Sequence, residues 1–490
     1  MKIHSHFQLC RLAGACSLVM AGAVLSIPVH AQGQAQAPGA AASLKSTKPT
    51  TPAIFAPTAA EKDIVLDSAP TNPAATTPVA GRLVPTPGVK PPSGATPARR
   101  FTAAAHDTAT AGSLAELGLN LLRQQSSATG HAQVNAVVSP LSLVSALGMV
   151  HAGTTGAGAS ELAAMLDTTA VGERIYKARM PVLLDRLAKP GGAGSPFVMA
   201  NRVWLDASVV AAIPPNYATT VADRFNADAA VVPFTQATES RKTINSWVAQ
   251  KTAKRIPELL PDGSITPNTK LVVTNAIHFK SKWEEPFDPA ATVPKPFHAI
   301  PGGPEKQVPT MVDERQVRLG TVDNIMVMEL PFAGDEFSLM VGVPPAGHTL
   351  DALEKDLEGL DIASWGSQLK PTKCRLQLPK FSIDPASKPL KESLQAMGVK
   401  TVFGTDANFT PMLGQAAKGV FLDNVYQSAT IIIDEQGGEA AAATGATATS
   451  KSFSLPAPSC AVDRPFIFAI VHRATGAPLF IGKIADPTLH

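Results

Sequence analysis

The chain lacks the compact signatures of catalysis. No G-x-S-x-G turn, H-E-x-x-H helix, phosphate-binding loop or C-x-x-C pair occurs in it. That removes nucleophile-elbow hydrolases, helix-borne zinc peptidases, P-loop nucleotide hydrolases and thioredoxin-like redox proteins. Its 11 histidines have no spacing that would gather a metal ion, so no metal and no cofactor is assigned. The 42 basic and 39 acidic residues are interspersed without a strong Lys/Arg cluster, so no nucleic-acid or heparin partner is predicted. Arg174, Lys177, Arg179 and Arg186 read as solvated helix charges. There is no internal repeat. Cysteine is scarce, with four in 490 residues, and Cys10 and Cys16 fall in the leader described next.

Lys2 and Arg11 precede a mostly apolar run over 12–27, and Val29-His30-Ala31 offers small residues around a cut after Ala31. The run is short for a bilayer span. Residues 1–31 therefore read as a secretory signal peptide, with no stable membrane insertion. Almost no apolar run precedes Cys16, so a lipoprotein reading is set aside. The mature protein is expected to be secreted: extracellular, or periplasmic in a Gram-negative bacterium. Residues 32–106 are rich in Pro, Ala, Thr and Gly without apolar periodicity, and read as a disordered linker. Residues 107–490 then form one folded domain.

Within that domain helices come early and strands late. Leu114, Leu117, Leu121 and Leu122 have helical spacing, and Glu161 to Leu166 suggests a second short helix. Ser139-Pro140 is a helix start, because serine caps free amides and proline fits the first turn. A helix in the 240s ends near Ile256-Pro257. Strands are predicted over 271–279, 326–332, 337–343, 375–383, 421–433 and 466–484, with a helix over 390–397 between them. This order argues for an α+β fold.

The segment after Asp434-Glu435-Gln436-Gly437-Gly438 is unusual. From Gly437 to Ser452 every residue is small and uncharged except Glu439 and Lys451. It has almost no apolar surface to bury, yet loops of this length without secondary structure tend to be functional. In extended chain one face reads Gly438, Ala440, Ala442, Thr444, Ala446, Ala448 and Ser450; the other carries charge only at its ends, at Glu439 and Lys451. No proline interrupts it. It could enter a packed sheet without clash or buried charge, although alanine does not itself favour a strand.

Asp434-Glu435-Gln436-Gly437-Gly438-Glu439-Ala440-Ala441-Ala442 resembles the hinge that opens the reactive-centre loop of serpins. Other blocks follow in the family's order. Val137-Val138-Ser139-Pro140-Leu141-Ser142 resembles its Ser-Pro helix, and Ala200-Asn201 with Val203-Trp204-Leu205 is similar to a family strand. Ile244-Asn245-Ser246-Trp247-Val248 resembles the helix across the main sheet. Thr274-Asn275-Ala276-Ile277-His278-Phe279-Lys280-Ser281-Lys282-Trp283 is the most specific block. Leu378-Pro379-Lys380-Phe381, Arg464-Pro465-Phe466-Ile467-Phe468 and Leu479-Phe480-Ile481-Gly482-Lys483-Ile484 complete the pattern. The resemblance covers roughly 107–490. It implies three β-sheets, about nine helices and an exposed reactive-centre loop at about 435–464.

It also implies a role for each matching residue. The protein would not be an enzyme but a monomeric suicide substrate that ends covalently bound to a serine protease. The hinge comprises Glu435, Gly437, Gly438, Glu439, Ala440, Ala441, Ala442 and Ala443. The bond offered to the protease lies about sixteen residues beyond Glu435, at Lys451-Ser452, and lysine there suits a trypsin-like enzyme. Phe453 is the rival, and would suit a chymotrypsin-like pocket. Ser139, Ser142 and Asn275 match shutter positions, Trp283 the breach tryptophan, and Lys380 with Glu435 an ion pair at the top of the main sheet. The chain departs from the family twice: Gln427 stands where histidine is common, and Gly438 where threonine, serine or another small residue is usual. The alternative function is a non-inhibitory serpin, acting as a binding module or as a protease substrate. Cys374 and Cys460 stay as free thiols or as a disulfide, which a secreted protein permits.

Overall fold

Continuous apolar runs must be covered on both faces when they become strands, and 271–279, 337–343, 466–472 and 477–484 are such runs. The computed structural model describes residues 105–129, 134–166, 196–210, 213–348, 352, 361–383, 387–438 and 457–489. The leader at 1–31 and nearly all of the 32–106 linker lie outside them, as do Arg174, Lys177, Arg179 and Arg186.

Two hydrogen-bonded sheets organise the described residues. The first runs in the order β1 (Ala136–Val138), β17 (Ala477–Ile484), β16 (Phe466–His472), β9 (Phe337–Val343), β8 (Ile325–Pro331), β7 (Lys306–Val322), β10 (Lys370–Pro379), β15 (Ser459–Ala461), with β6 (Val293–Phe297) also on β7. The second runs β3 (Asp228–Val232), β2 (Phe197–Asp206), β4 (Leu271–Phe279), β13 (Asn424–Asp434), β14 (Gly437–Gly438), β5 (Ser281–Lys282); β11 (Phe381–Ile383) and β12 (Lys388–Pro389) also pair with β13. The family resemblance implies three sheets. Two of those are joined here because β7, 17 residues long, pairs with β8 through one end and with β6 through the other.

Eight α-helices are described: α1 (Ala105–Thr129), α2 (Pro140–Gly153), α3 (Ala157–Leu166), α4 (Pro215–Phe225), α5 (Ala237–Lys251), α6 (Ile362–Gln368), α7 (Lys391–Ala396) and α8 (Thr410–Leu413). α1 buries the four predicted leucines, Leu114, Leu117, Leu121 and Leu122. α2 begins where expected, with Ser139 as N-cap accepting the Ser142 amide. α5 stops at Lys251, short of the predicted Ile256-Pro257. Ala253 and Lys254 take positive φ just beyond it, and the Asn245 side chain accepts the amides of Leu259 and Leu260.

The second sheet is buried on both faces. Val273, Ile277 and Phe279 of β4 face the main core with α1 and α2; Val272 and Ala276 face a separate cluster with Ile244 and Val248 of α5. Alternation in one strand thus feeds two cores. Every residue of β4 is buried, so no change there escapes packing.

Cys374 of β10 and Cys460 of β15 form a disulfide, with Cα atoms 6.0 Å apart. The two strands are parallel neighbours, pairing Arg375 with Ser459 and Gln377 with Ala461. The disulfide therefore ties the first strand after the loop to its only neighbour among the described residues.

Candidate functional site

The hinge is a two-residue reversal at the end of β13. Asp434 pairs with Gly437 and Ile433 with Gly438. The Asp434 carboxylate accepts the amides of Gln436 at 2.8 Å and Gly437 at 3.3 Å, the local turn aspartate favours. Gly437 has φ +137°, and a Cβ there would run into the Ser281 carbonyl, so only glycine fits. The chain then passes between β13 and β5: Gly437 pairs with Lys282 and Gly438 with Ser281 on the far side. Two residues after the turn already occupy a slot inside the sheet. Below them β4 and β13 close directly on each other as a parallel pair, from His278↔Thr430 down to Val272↔Asn424.

Trp283 and Glu435 fix this turn. The Trp283 indole N–H donates to the Asp434 carbonyl at 2.8 Å, and its backbone amide to Gln436 at 2.8 Å. The ring is buried, stacked on Phe332 with centroids 4.6 Å apart. The Glu435 carboxylate accepts Lys380 Nζ at 2.8 Å and Thr292 Oγ1 at 2.7 Å. Burial pushes its pKa up, but the bonds from Lys380 and Thr292 and the Lys380 charge outweigh that and hold the acid below its ordinary range. Lys380 reaches Glu435 from the junction where β10 ends and β11 begins. The strand predicted over 375–383 is therefore two strands belonging to different sheets.

The shutter is a buried hydrogen-bond network under the closed part of the seam. Asn275 Nδ2 donates to the Ser142 carbonyl at 2.6 Å and to Asn201 Oδ1 at 2.7 Å. Gln427 Nε2 donates to Asn275 Oδ1 at 2.7 Å and to the Ser139 carbonyl at 3.2 Å. Ser139 Oγ donates to the Leu479 carbonyl at 2.7 Å. One amide nitrogen of Gln427 thus bridges β4 and the start of α2. This is how glutamine serves at a position where histidine is common: it has two N–H groups and uses both. Leaving such a buried group unpaired costs about 1–3 kcal/mol, so the network is a lock on the β4–β13 seam.

Nine predicted residues are placed by the structure. Glu435, Gly437, Gly438, Trp283 and Lys380 gather at the hinge, and Ser139, Ser142, Asn275 and Gln427 at the shutter. Glu439, Ala440, Ala441, Ala442, Ala443, Lys451, Ser452 and the rival Phe453 lie outside the described residues. Sequence reasoning missed Asn201, Thr292 and Phe279 as members of the site. Asn201 left one signal, a lone amide inside the apolar run 197–205. Phe279 explains the second departure: a Cβ on Gly438 would lie 3.1 Å from its ring, so the ring fills the room a larger residue would need.

Comparison with known proteins agrees with this geometry. The profile of the family described as Serpin (serine protease inhibitor) matches residues 112–487. A leukocyte elastase inhibitor of Bos taurus is 33% identical over 362 residues, covering 72% of this chain and 93% of that protein. Among solved structures, native protease nexin-1 with heparin is 27% identical, with a TM-score of 0.65, covering 78% of this chain and all of that one. Thyroxine-binding globulin in complex with thyroxine shares the fold at 24% identity and a TM-score of 0.68. A hinge entering a sheet above a hydrogen-bonded seam, and a profile spanning most of the described chain, lead to one conclusion: this chain belongs to the serpin family.

Proposed function

We propose that the protein inhibits a trypsin-like serine protease as a suicide substrate, with Lys451-Ser452 as the reactive bond. The protease serine Oγ attacks the Lys451 carbonyl; an ester forms, the peptide bond breaks, and the Ser452 amine leaves with the proton relayed by the protease histidine. The freed chain then extends β14 down the seam and carries the acyl-bound protease with it. Serpin loop insertion is a known example of strand addition and released strain.

The observation that carries this reading is the position of β14. Stepping three residues on from Gly438 places Ala441 opposite both Thr430 and His278, which already pair with each other. Six residues on, Thr444 falls opposite both Gln427 and Asn275. A single antiparallel strand can therefore replace the parallel contact in register on both sides. In that register Ala448 meets Leu271, the first residue of β4, about 34 Å below Gly438 at ~3.4 Å per residue. Lys451 follows three residues later, clear of the sheet. The face that includes Gly438 meets Phe279 and the main core, and its residues are the small ones.

The substrate reading rests on Gly438, whose lack of a side chain could slow insertion. Against it, Gly438 already lies in the slot and is buried. The 1–31 segment and the 32–106 linker are part of the proposal: export from the cell, then a spacer ahead of the inhibitor domain. Incubation of the mature chain with trypsin, read by denaturing gel and mass spectrometry, tests it. The expected result is a denaturant-stable adduct and a carboxy-terminal fragment starting at Ser452. Clean cleavage there with full trypsin activity remaining would sink inhibition of trypsin-like enzymes; an adduct with a chymotrypsin-like enzyme cut after Phe453 would move the bond.

A further inference from the structure

Lys388 and Lys483 meet on the α1 side of the shutter. Lys388 of β12 lies directly opposite Gln427 of β13, and directly opposed residues of an antiparallel pair share a face. Its side chain therefore leaves the strand on the face where Gln427 bonds Asn275 and the Ser139 carbonyl. It ends with Nζ donating to Gln125 Oε1 of α1 at 3.1 Å. Lys483 comes from β17, opposite Ala136 of β1. It shares a face with Ile481, two residues back, which packs against Gly118 of α1. Gln125 lies two turns beyond Gly118 on the same side of α1. Lys483 is 1% exposed, Gln125 is buried and Lys388 is half-buried.

Two amines are thus brought together where water is scarce. Burial, and then the charge of Lys483, hold the Lys388 amine below the ordinary lysine range. Three other lysines show the contrast: Lys270, Lys306 and Lys380 face carboxylates, of Asp206, Asp486 and Glu435. The groups facing Lys388 are Gln427 from β13, Gln125 from α1 and Lys483 from β17, and no carboxylate among the described residues bonds it. Desolvation beside a second cation is the setting that makes a lysine nucleophilic near neutral pH.

We propose that Lys388 is a carbon dioxide site: its Nζ forms a carbamate whose carboxylate bridges to Lys483 and Gln125. The neutral Nζ attacks the carbon of CO2. The N–C bond forms, one C–O π pair moves to oxygen, and the nitrogen passes a proton to water. No oxidant, reductant or cofactor enters the balance. The sign of the contact then reverses: where two cations repelled, an anion faces a cation, and the Gln125 side chain turns its NH2 to the new acceptor. CO2 is the electrophile this site suits. It is small enough for a half-buried amine, and it leaves a negative charge there; an aldehyde would leave a neutral or cationic imine that gains nothing from Lys483. The bridge ties β12, and through it β13 at Gln427, to β17 and α1. The inference stands on these residues and does not require the inhibitory reading.

The test uses the full mature protein at fixed, mildly alkaline pH and fixed ionic strength, with carbon-13 bicarbonate in equilibrium with CO2 compared against chloride. Carbamate is detected by carbon-13 NMR and located by trapping with triethyloxonium and peptide mass; its effect is read as the thermal midpoint. The expected result is a carbamate on Lys388 and a midpoint that rises with CO2. Lys388→Arg keeps the positive charge and should lose both that signal and that rise, while any signal from the amino terminus stays. Lys483→Met should weaken the carbamate about fivefold, the loss of one charge pair worth ~1 kcal/mol. Lys388→Glu, which sets a carboxylate near Lys483 permanently, should be insensitive to CO2. An unlabelled Lys388 at CO2 pressures that label the amino terminus overturns the site. So does a midpoint rise that survives in Lys388→Arg, and so does a Lys388 carbamate that leaves the midpoint where it was.

Discussion

Gly438 lies against the ring of Phe279, close enough that a Cβ would come within 3.1 Å of it. The two residues share one volume: where the loop is small, the core is large. Replacing Gly438 with Thr should crowd that ring, slow insertion and turn part of the protein into substrate. The additional change Phe279→Leu should recover much of the adduct yield, with a coupling of about 1 kcal/mol between the two. Stoichiometry of inhibition for both single variants and the double variant measures it. Additive effects would mean that the ring and the hinge do not compete for space.

Glu439 is the one charged residue ahead of Lys451 in the stretch proposed to insert. Continued register places it opposite Ile432 and Lys280, both exposed. An opposite-charge pair across strands contributes about 0.2–1 kcal/mol. Lys280→Glu should therefore raise the stoichiometry of inhibition, and Glu439→Lys on that background should lower it again. The native protein should be little changed in stability by either substitution.

Gln427→Ala would leave the Ser139 carbonyl and Asn275 Oδ1 without their Gln427 donor. Urea unfolding should show a loss of about 1–3 kcal/mol. The same variant should insert its loop faster once cleaved, since the lock on the seam is gone. An unchanged urea midpoint would remove Gln427 from the lock.

His278 is kept neutral to about pH 4 by burial and by the charges of Arg255 and Lys280, against an ordinary value of 6.5. The unfolded chain takes up a proton near pH 6.5 that the folded chain refuses until about pH 4. Stability from this group should therefore fall as pH drops through that window and level off below it. The thermal midpoint of wild type against His278→Asn, measured across the window, checks this: the variant should show the shallower decline.

Glu435 also loses stabilisation as pH falls, in a more acidic window. Its folded pKa is held below the ordinary 4.5, so its contribution is present above that value and disappears as pH falls through the folded pKa. Lys380→Met should cost about 1 kcal/mol or less at neutral pH, because the lysine is more than a third exposed. The difference between wild type and variant should shrink toward zero in acid. A difference that stays constant to the lowest pH would show that packing, not charge, is what Lys380 supplies.

Much of this site was legible because its residues are punctuated. Strand 271–279 is found with its predicted limits, and its β-branched Val272, Val273, Thr274 and Ile277 suit a pleated strand. Ser139-Pro140 announced its helix through capping chemistry alone. The break in 375–383 was not legible, since it follows from pairing partners far apart in sequence, β7 for Lys370–Pro379 and β13 for Phe381–Ile383. Asn201 looked like any strand residue until β2 and β4 were paired, Asn201 opposite Asn275. The disulfide joins residues 86 apart in sequence, and only the parallel placement of β15 on β10 brings them together.

The matching offsets on either side of β14 have a mechanical consequence. The two halves of the second sheet are commensurate with a guest row: they need only move apart sideways, with no sliding along their own axes. A slip of one residue would turn every side chain to the wrong face, and none is required. The barrier to opening is then set by the locks that cross the seam rather than by the sheet as a whole. Opening can be adjusted one lock at a time while the rest of the fold is left as it is.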